Sequence, residues 1–108
     1  MTDELPEDLL EQMAGRFRLL GDATRLAILR CLMRRGEQNV SQVVAETRCN
    51  QANVSKHLKQ LHQAGLLGRR KEGLQVFYRI SDPLVERLCR LVCDALLAGR
   101  NQGEVEEV

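Results

Sequence analysis

The sequence is poor in aromatic residues, with no tryptophan, one tyrosine and two phenylalanines among 108 residues. Any core it builds must be aliphatic. No stretch approaches the ~18 consecutive apolar residues of a membrane-spanning helix. The acidic start excludes the basic head of a secretory signal. There is no nucleophile–base arrangement, no glycine-rich phosphate loop and no acid pair of the kind that lines a catalytic cleft, so an enzyme is not expected. Four cysteines, Cys31, Cys49, Cys89 and Cys93, lack the short secreted context of a disulfide framework. Free thiols in a reducing cytoplasm are the better expectation.

What is present is an ordinary globular balance, 44% apolar and 29% charged, long enough for a single domain over residues 1–108. A domain of this size gains much by pairing with a copy of itself. The net charge of +1 conceals an asymmetry. Asp3, Glu4, Glu7, Asp8 and Glu11 give residues 1–15 a charge of −5. Lys56, Lys59, Arg69, Arg70, Lys71 and Arg79 against Glu72 give residues 54–80 a charge of +5. Glu104, Glu106 and Glu107 make the tail acidic again. A basic middle between acidic ends points to a polyanionic partner.

Hydrophobic spacing predicts five helices. Leu9, Leu10, Met13, Phe17 and Leu20 form the first stripe, entered through Pro6 and broken at Gly21. Asp22 can cap a second helix with Leu26, Leu29, Leu32 and Met33 inward, stopped by Arg34-Arg35-Gly36. A short third helix, about Ser41–Arg48, can be capped by Asn39 or Ser41. Asn50 caps a fourth, which buries Val54, Leu58 and Leu61 and ends at Ala64-Gly65. Helix, tight turn and helix of this size describe a helix-turn-helix. The period then changes to two. Leu66–Arg70 and Gln75–Ile80 read as strands joined by a turn at Lys71-Glu72-Gly73, with Val76, Tyr78 and Ile80 on one face. Ser81-Asp82-Pro83 opens a fifth helix. Its apolar stripe is too wide for a helix lying on one small domain, so with the first helix it is read as a dimer interface. Residues 1–5 and 99–108 are expected to be frayed tails.

The order is that of a winged helix-turn-helix, mainly α with a small two-stranded β-hairpin. In "LLGDATRLAILRCL" (19–32), "NVSKHLKQLHQAGLL" (53–67) and "RKEGLQVFYRI" (70–80) the sequence closely resembles the ArsR/SmtB family of bacterial transcriptional repressors. The resemblance spans residues 17–96. It implies a homodimer, double-stranded operator DNA as partner and control by a small effector.

The fourth helix carries the DNA reading on its own chemistry as well. Gln51 and Asn53 can each form two hydrogen bonds to adenine. Ser55, Lys56, His57 and Lys59 can reach bases or phosphates, and the backbone amides from Asn50 onward offer a phosphate site. His57 is equally suited to a hydrogen bond inside the helix-turn-helix, and His62 is given no role. Arg69, Arg70, Lys71 and Arg79 lie on the hairpin, which in the resembling family approaches the minor groove or flanking phosphates. The alternative is a basic hairpin that keeps an edge strand soluble.

The effector is less legible. Family metal sites use a Cys-x-Cys stretch on the third helix or His and Asp ligands on the last. This chain has Gln38-Asn39-Val40 and neighbours without cysteine, and at the second site only Asp82 survives. A zinc sensor of that kind is not expected. Cys89 and Cys93, four apart, share a helix face and could offer two thiolates to a soft metal ion or metalloid, with Cys31 or a partner subunit supplying a third. Cys31 and a fifth-helix cysteine could instead form a redox or reactive-sulfur switch. All four cysteines could equally be small core residues. In the dithiol-type members the second-helix cysteine closes an R-L-x-x-L-C stretch, and here Arg30 intervenes. No cofactor is expected to be required for folding. The competing class is a thiol-based metal-buffering or redox protein that does not bind DNA. Its weakness is that Cys89 and Cys93 lie inside a helix rather than at an N-terminus that would stabilise a thiolate.

Overall fold

A computed structural model describes residues 5–106, so parts of both expected tails, residues 1–4 and 107–108, lie outside the described residues. In chain order the elements are α1 (Glu7–Leu20), α2 (Ala23–Arg35), β1 (Gln38–Asn39), α3 (Val40–Thr47), α4 (Gln51–Gln63), β2 (Leu67–Glu72), β3 (Gln75–Ile80) and α5 (Pro83–Glu106). The expected five helices are all present. The sheet has three strands rather than two, in the order β1-β3-β2 and antiparallel throughout. The added strand is only two residues, pairing Gln38 with Tyr78 and Asn39 with Phe77. That is too short to leave a period-two signal.

Helix starts follow the side chains available. The Asp22 carboxylate accepts from the Arg25 amide at 3.0 Å, and Asn50 accepts from the Asn53 amide at 3.1 Å. Asn39, not Ser41, caps α3, and the Gln42 side chain returns a bond to the Asn39 amide, completing a capping box. The Asp82 carboxylate accepts from the Leu84 amide at the head of α5. α1 has no side-chain cap; Pro6 occupies that position. α5 continues through Gly99 to Glu106, beyond the point where the sequence suggests a tail. Each glycine costs about 1 kcal/mol in a helix interior, but the residues around Gly99 are mostly good helix formers.

The hairpin differs from expectation by two residues. β2 begins at Leu67 and runs to Glu72, which pairs with Gln75, so the turn is Gly73-Leu74 rather than Lys71-Glu72-Gly73. A two-residue loop matches strand twist only with positive φ in the turn, and Gly73 supplies it at 64°.

The core is aliphatic, as the composition requires. Ile28, Leu29, Leu32, Val43, Val54, Leu58, Leu61, Leu66, Leu67 and Val85 are buried, joined by Cys31 and Tyr78. On α2 the inward face is Ile28, Leu29, Cys31 and Leu32, while Leu26 is exposed and Met33 half-buried. The helix is apolar over more than one face, and packing against α3 and α4 selects the one that turns inward. α1 contributes no fully buried residue. Leu9, Leu10 and Phe17 on α1, with Leu84, Leu91, Val92, Leu96 and Leu97 on α5, are exposed in the single chain.

Candidate nucleic-acid interface

α4 presents two unlike faces. Val54, Leu58 and Leu61 are fully buried, which pins the helix to α3 and the sheet. Gln51, Asn53, Lys56 and Lys59 are exposed, and Ser55 is half-buried at the boundary. Three residues join α3 to α4. The first, Arg48, takes a left-handed conformation with φ 60°, the one non-glycine residue to do so among those described. Its amide donates to the Val44 carbonyl, closing α3 and turning the chain into α4. Cys49 sits half-buried in this turn, its amide donating to Thr47 Oγ1 and its thiol to the Thr47 carbonyl.

The wing carries further basic residues, divided between its two faces. Cross-strand pairing puts Arg69 and Lys71 on the face of Leu67 and Tyr78, and Arg70 and Arg79 on the opposite face with Phe77. Among the described residues, Lys56, Lys59, Arg69, Lys71 and Arg79 make no ion pair. Arg70 stands apart. Its guanidinium donates to Glu37 at 2.8 Å and to Glu72 at 3.0 Å, and lies 4.7 Å from the Phe77 ring centre. These bonds hold the Glu37 carboxyl below the usual carboxylate range and push Arg70 up. Of the four basic wing residues named from sequence, Arg70 is therefore the one already committed within the chain.

The two histidines are structural in different ways. His57 Nδ1 lies 3.3 Å from Arg25 Nη1. Because a guanidinium only donates, Nδ1 accepts and the proton of the neutral ring sits on Nε2. His62 Nδ1 lies 3.0 Å from the Leu67 carbonyl, and its ring meets Tyr78 edge-on. Sequence reasoning missed Arg25 and Arg48. Arg25, on a helix, reads as solvated surface, and nothing local reveals that its acceptors lie on other helices. Arg48 acts through its backbone, closing α3 in a left-handed conformation that its side chain does not signal.

The cysteines do not converge. All four are free thiols. Cys31 is fully buried, and burial first, then the Glu46 charge, pushes its thiol up. Cys89 is half-buried and pushed up by burial, while Cys93 is exposed. Among the described residues no three histidine, cysteine, aspartate or glutamate side chains are grouped to hold a metal ion, so Cys31 does not complete a site with the α5 pair within one chain. Asp82, the residue left from the family's α5 ligand pattern, is occupied by the α5 cap and by Arg16 at 3.1 Å.

Residues 22–68, from the α2 cap through α4 into β2, match the model of the bacterial regulatory protein arsR family. An HTH-type transcriptional regulator of Methanocaldococcus jannaschii is 39% identical over 76% of this chain and 92% of its own length. The chain belongs to the arsR family. As an arsR-family protein it is a DNA-binding transcriptional regulator with a winged helix-turn-helix. The antimony-specific transcriptional repressor AntR superposes with a TM-score of 0.81 at 26% identity, over 90% of this chain and 87% of AntR. A homodimeric winged helix-turn-helix DNA-binding domain from Mycobacterium bovis gives 0.71 at 35% identity, over 82% of both chains. No helix among the described residues of this arsR-family chain is long and apolar enough to cross a membrane.

Proposed function

We propose that the protein is a homodimeric repressor that holds an inverted-repeat operator through two copies of α4 and releases it when a thiol-reactive effector arrives. The observation that carries the DNA reading is the division of α4. Val54, Leu58 and Leu61 are fully buried, while Gln51, Asn53, Lys56 and Lys59 project outward with no ion pair to either lysine among the described residues. Asn50 at the cap and Ser55 at the boundary extend the same polar face, and its N-terminal turn is the part that enters a major groove. Arg69, Lys71 and Arg79 suit flanking phosphates or a narrow minor groove. Arg70 and His57, both bonded within the chain, serve the interface indirectly.

Dimerisation is supported by the exposed leucines and Phe17 of α1 and α5, which form an apolar face too large for solvent, and by the homodimeric M. bovis relative. The release step is assigned to Cys89 and Cys93. They are one turn apart on α5 and more accessible than Cys31, and the superposed repressor AntR is antimony-specific. Two thiolates from each subunit suit a soft metalloid or metal ion.

A gel shift tests both parts. Changing Asn53 and Ser55 together to Ala is expected to abolish binding to the operator while sedimentation still reports a dimer; unchanged affinity would sink the DNA reading. Arsenite, antimonite, cadmium, peroxide and polysulfide are then titrated against the wild-type complex and the Cys89→Ser/Cys93→Ser variant. Release by one of them in the wild type alone is expected. Release that persists in the variant, or no release by any, removes the thiol assignment.

A further inference from the structure

Arg25, in the first turn of α2, reaches two other helices at once, α1 and α4. Its Nε donates to the Leu19 carbonyl at 2.7 Å and its Nη2 to the Arg18 carbonyl at 3.4 Å. Both are last-turn carbonyls of α1, a region where intrahelical partners run out; that of Arg18 also accepts from the Gly21 amide at 3.3 Å. Its Nη1 is shared between His57 Nδ1 and Gln60 Oε1, each at 3.3 Å, on α4. Its own amide donates to the Asp22 cap. Among the described residues no carboxylate pairs with the guanidinium. Its charge is satisfied by carbonyl, imidazole and amide groups, so its role is geometric.

The placement of these partners matters. α1 carries part of the apolar face assigned to the dimer, and α4 carries the face assigned to DNA. A rigid planar fork joins the end of one to the middle of the other. In a two-fold dimer the separation of the two reading helices must match the spacing of half-sites, about one helical turn of DNA. We infer that Arg25 is a positioning residue for operator recognition: it fixes α4 against α1, and through the dimer sets the half-site spacing the protein accepts. This rests on the DNA-reading assignment of α4 and adds the residue that holds it in register.

The expected signature is separate from that of a DNA contact. A duplex selected by the wild type from random-sequence DNA is compared with the same duplex carrying one extra base pair between half-sites. Wild type is expected to lose about tenfold or more on the insertion, the scale of a single mismatched pair. Arg25→Met and Arg25→Lys are expected to bind the selected duplex about tenfold more weakly and to lose most of the spacing discrimination. Their log–log salt slope is expected to stay at the wild-type value, since a lost phosphate contact would reduce it by about 0.9. Lysine keeps the charge but not the fork, so it should fail to rescue. Gln60→Leu, which removes one acceptor on α4 and leaves α1 bound, is a milder probe should Arg25 variants fold poorly. It is expected to reduce discrimination in the same direction. Retained discrimination in Gln60→Leu and in any folded Arg25 variant overturns the inference, as does a salt slope smaller by one contact or full rescue by lysine. If the wild type selects no sequence at all, the DNA reading itself fails, a result distinct from those three.

Discussion

Arg79 lies across Gly68, its directly paired neighbour on β2, so closely that a Cβ at Gly68 would stand 2.7 Å from the guanidinium carbon. The missing side chain is what lets Arg79 rest flat against the wing. Gly68→Ala is expected to fold normally, because the clash falls on the far end of a flexible chain and the strand gains from losing a glycine. It will displace the guanidinium. Operator affinity should fall toward that of Arg79→Ala, read by fluorescence anisotropy, with the thermal midpoint unchanged or higher.

Glu37 and Arg70 predict a pH dependence with a definite sign. The Glu37 carboxyl titrates lower in the folded protein than in the unfolded chain because Arg70 donates to it. Its contribution is complete above the unfolded carboxylate value of about 4.3 and is lost as pH falls through the lower folded value. Urea melts of wild type and Glu37→Gln should therefore differ by a constant amount at neutral pH and converge in acid. A difference that grows in acid would contradict the pairing. Freed from Glu37, Arg70 is expected to gain access to DNA, so the variant should bind nonspecific duplex more tightly at low salt.

Asn50 has two roles that one substitution separates. Its side chain caps α4 by accepting from the Asn53 amide, and its position faces the proposed DNA. Asn50→Ala is expected to cost about 1 kcal/mol of stability and to weaken DNA binding. Asn50→Asp keeps the cap, so stability should hold, but it places a negative charge against phosphate. DNA affinity should fall more than in the alanine variant. Equal affinities for the two variants would place Asn50 away from the backbone of the operator.

These expectations were unevenly legible in the chain. α4 was readable because its cap, its three-four spacing and its glycine stop all lie within residues 50–65, and they agree. β3 was readable from the alternation of Val76, Tyr78 and Ile80. β1 was not, because two residues carry no period and their partners are Phe77 and Tyr78, far along the sequence. The turn was misplaced because Glu72 suits a loop as well as a strand, and only the pairing with Gln75 decides. The inward face of α2 was ambiguous because Leu26, Ile28, Leu29 and Cys31 wrap most of the way round it. The least visible contacts join residues distant in sequence: Arg70 to Glu37, and Arg25 to His57 and Gln60. Spacing arguments see one helix at a time, and these bonds exist only after the helices pack.

Cys31 tests the division between core thiol and sensing thiol. It is fully buried from water, so a disulfide or thiophilic reagent should reach it only after unfolding. Mass spectrometry after brief alkylation at pH 7.5 should find Cys31 unmodified in native protein and modified in urea. Cys31→Ser buries a hydroxyl in an aliphatic core and is expected to cost about 1–3 kcal/mol. The raised thiol also has a sign. The folded state holds its proton more tightly than the unfolded chain, so this contribution is complete below about pH 8.5 and is lost as pH rises through the folded value. Cys31→Ala, which cannot ionise, should therefore show a shallower loss of stability than wild type as pH rises above about 8.5. Rapid native labelling of Cys31, or an alkaline limb identical in the two proteins, would return it to the set of candidate sensors.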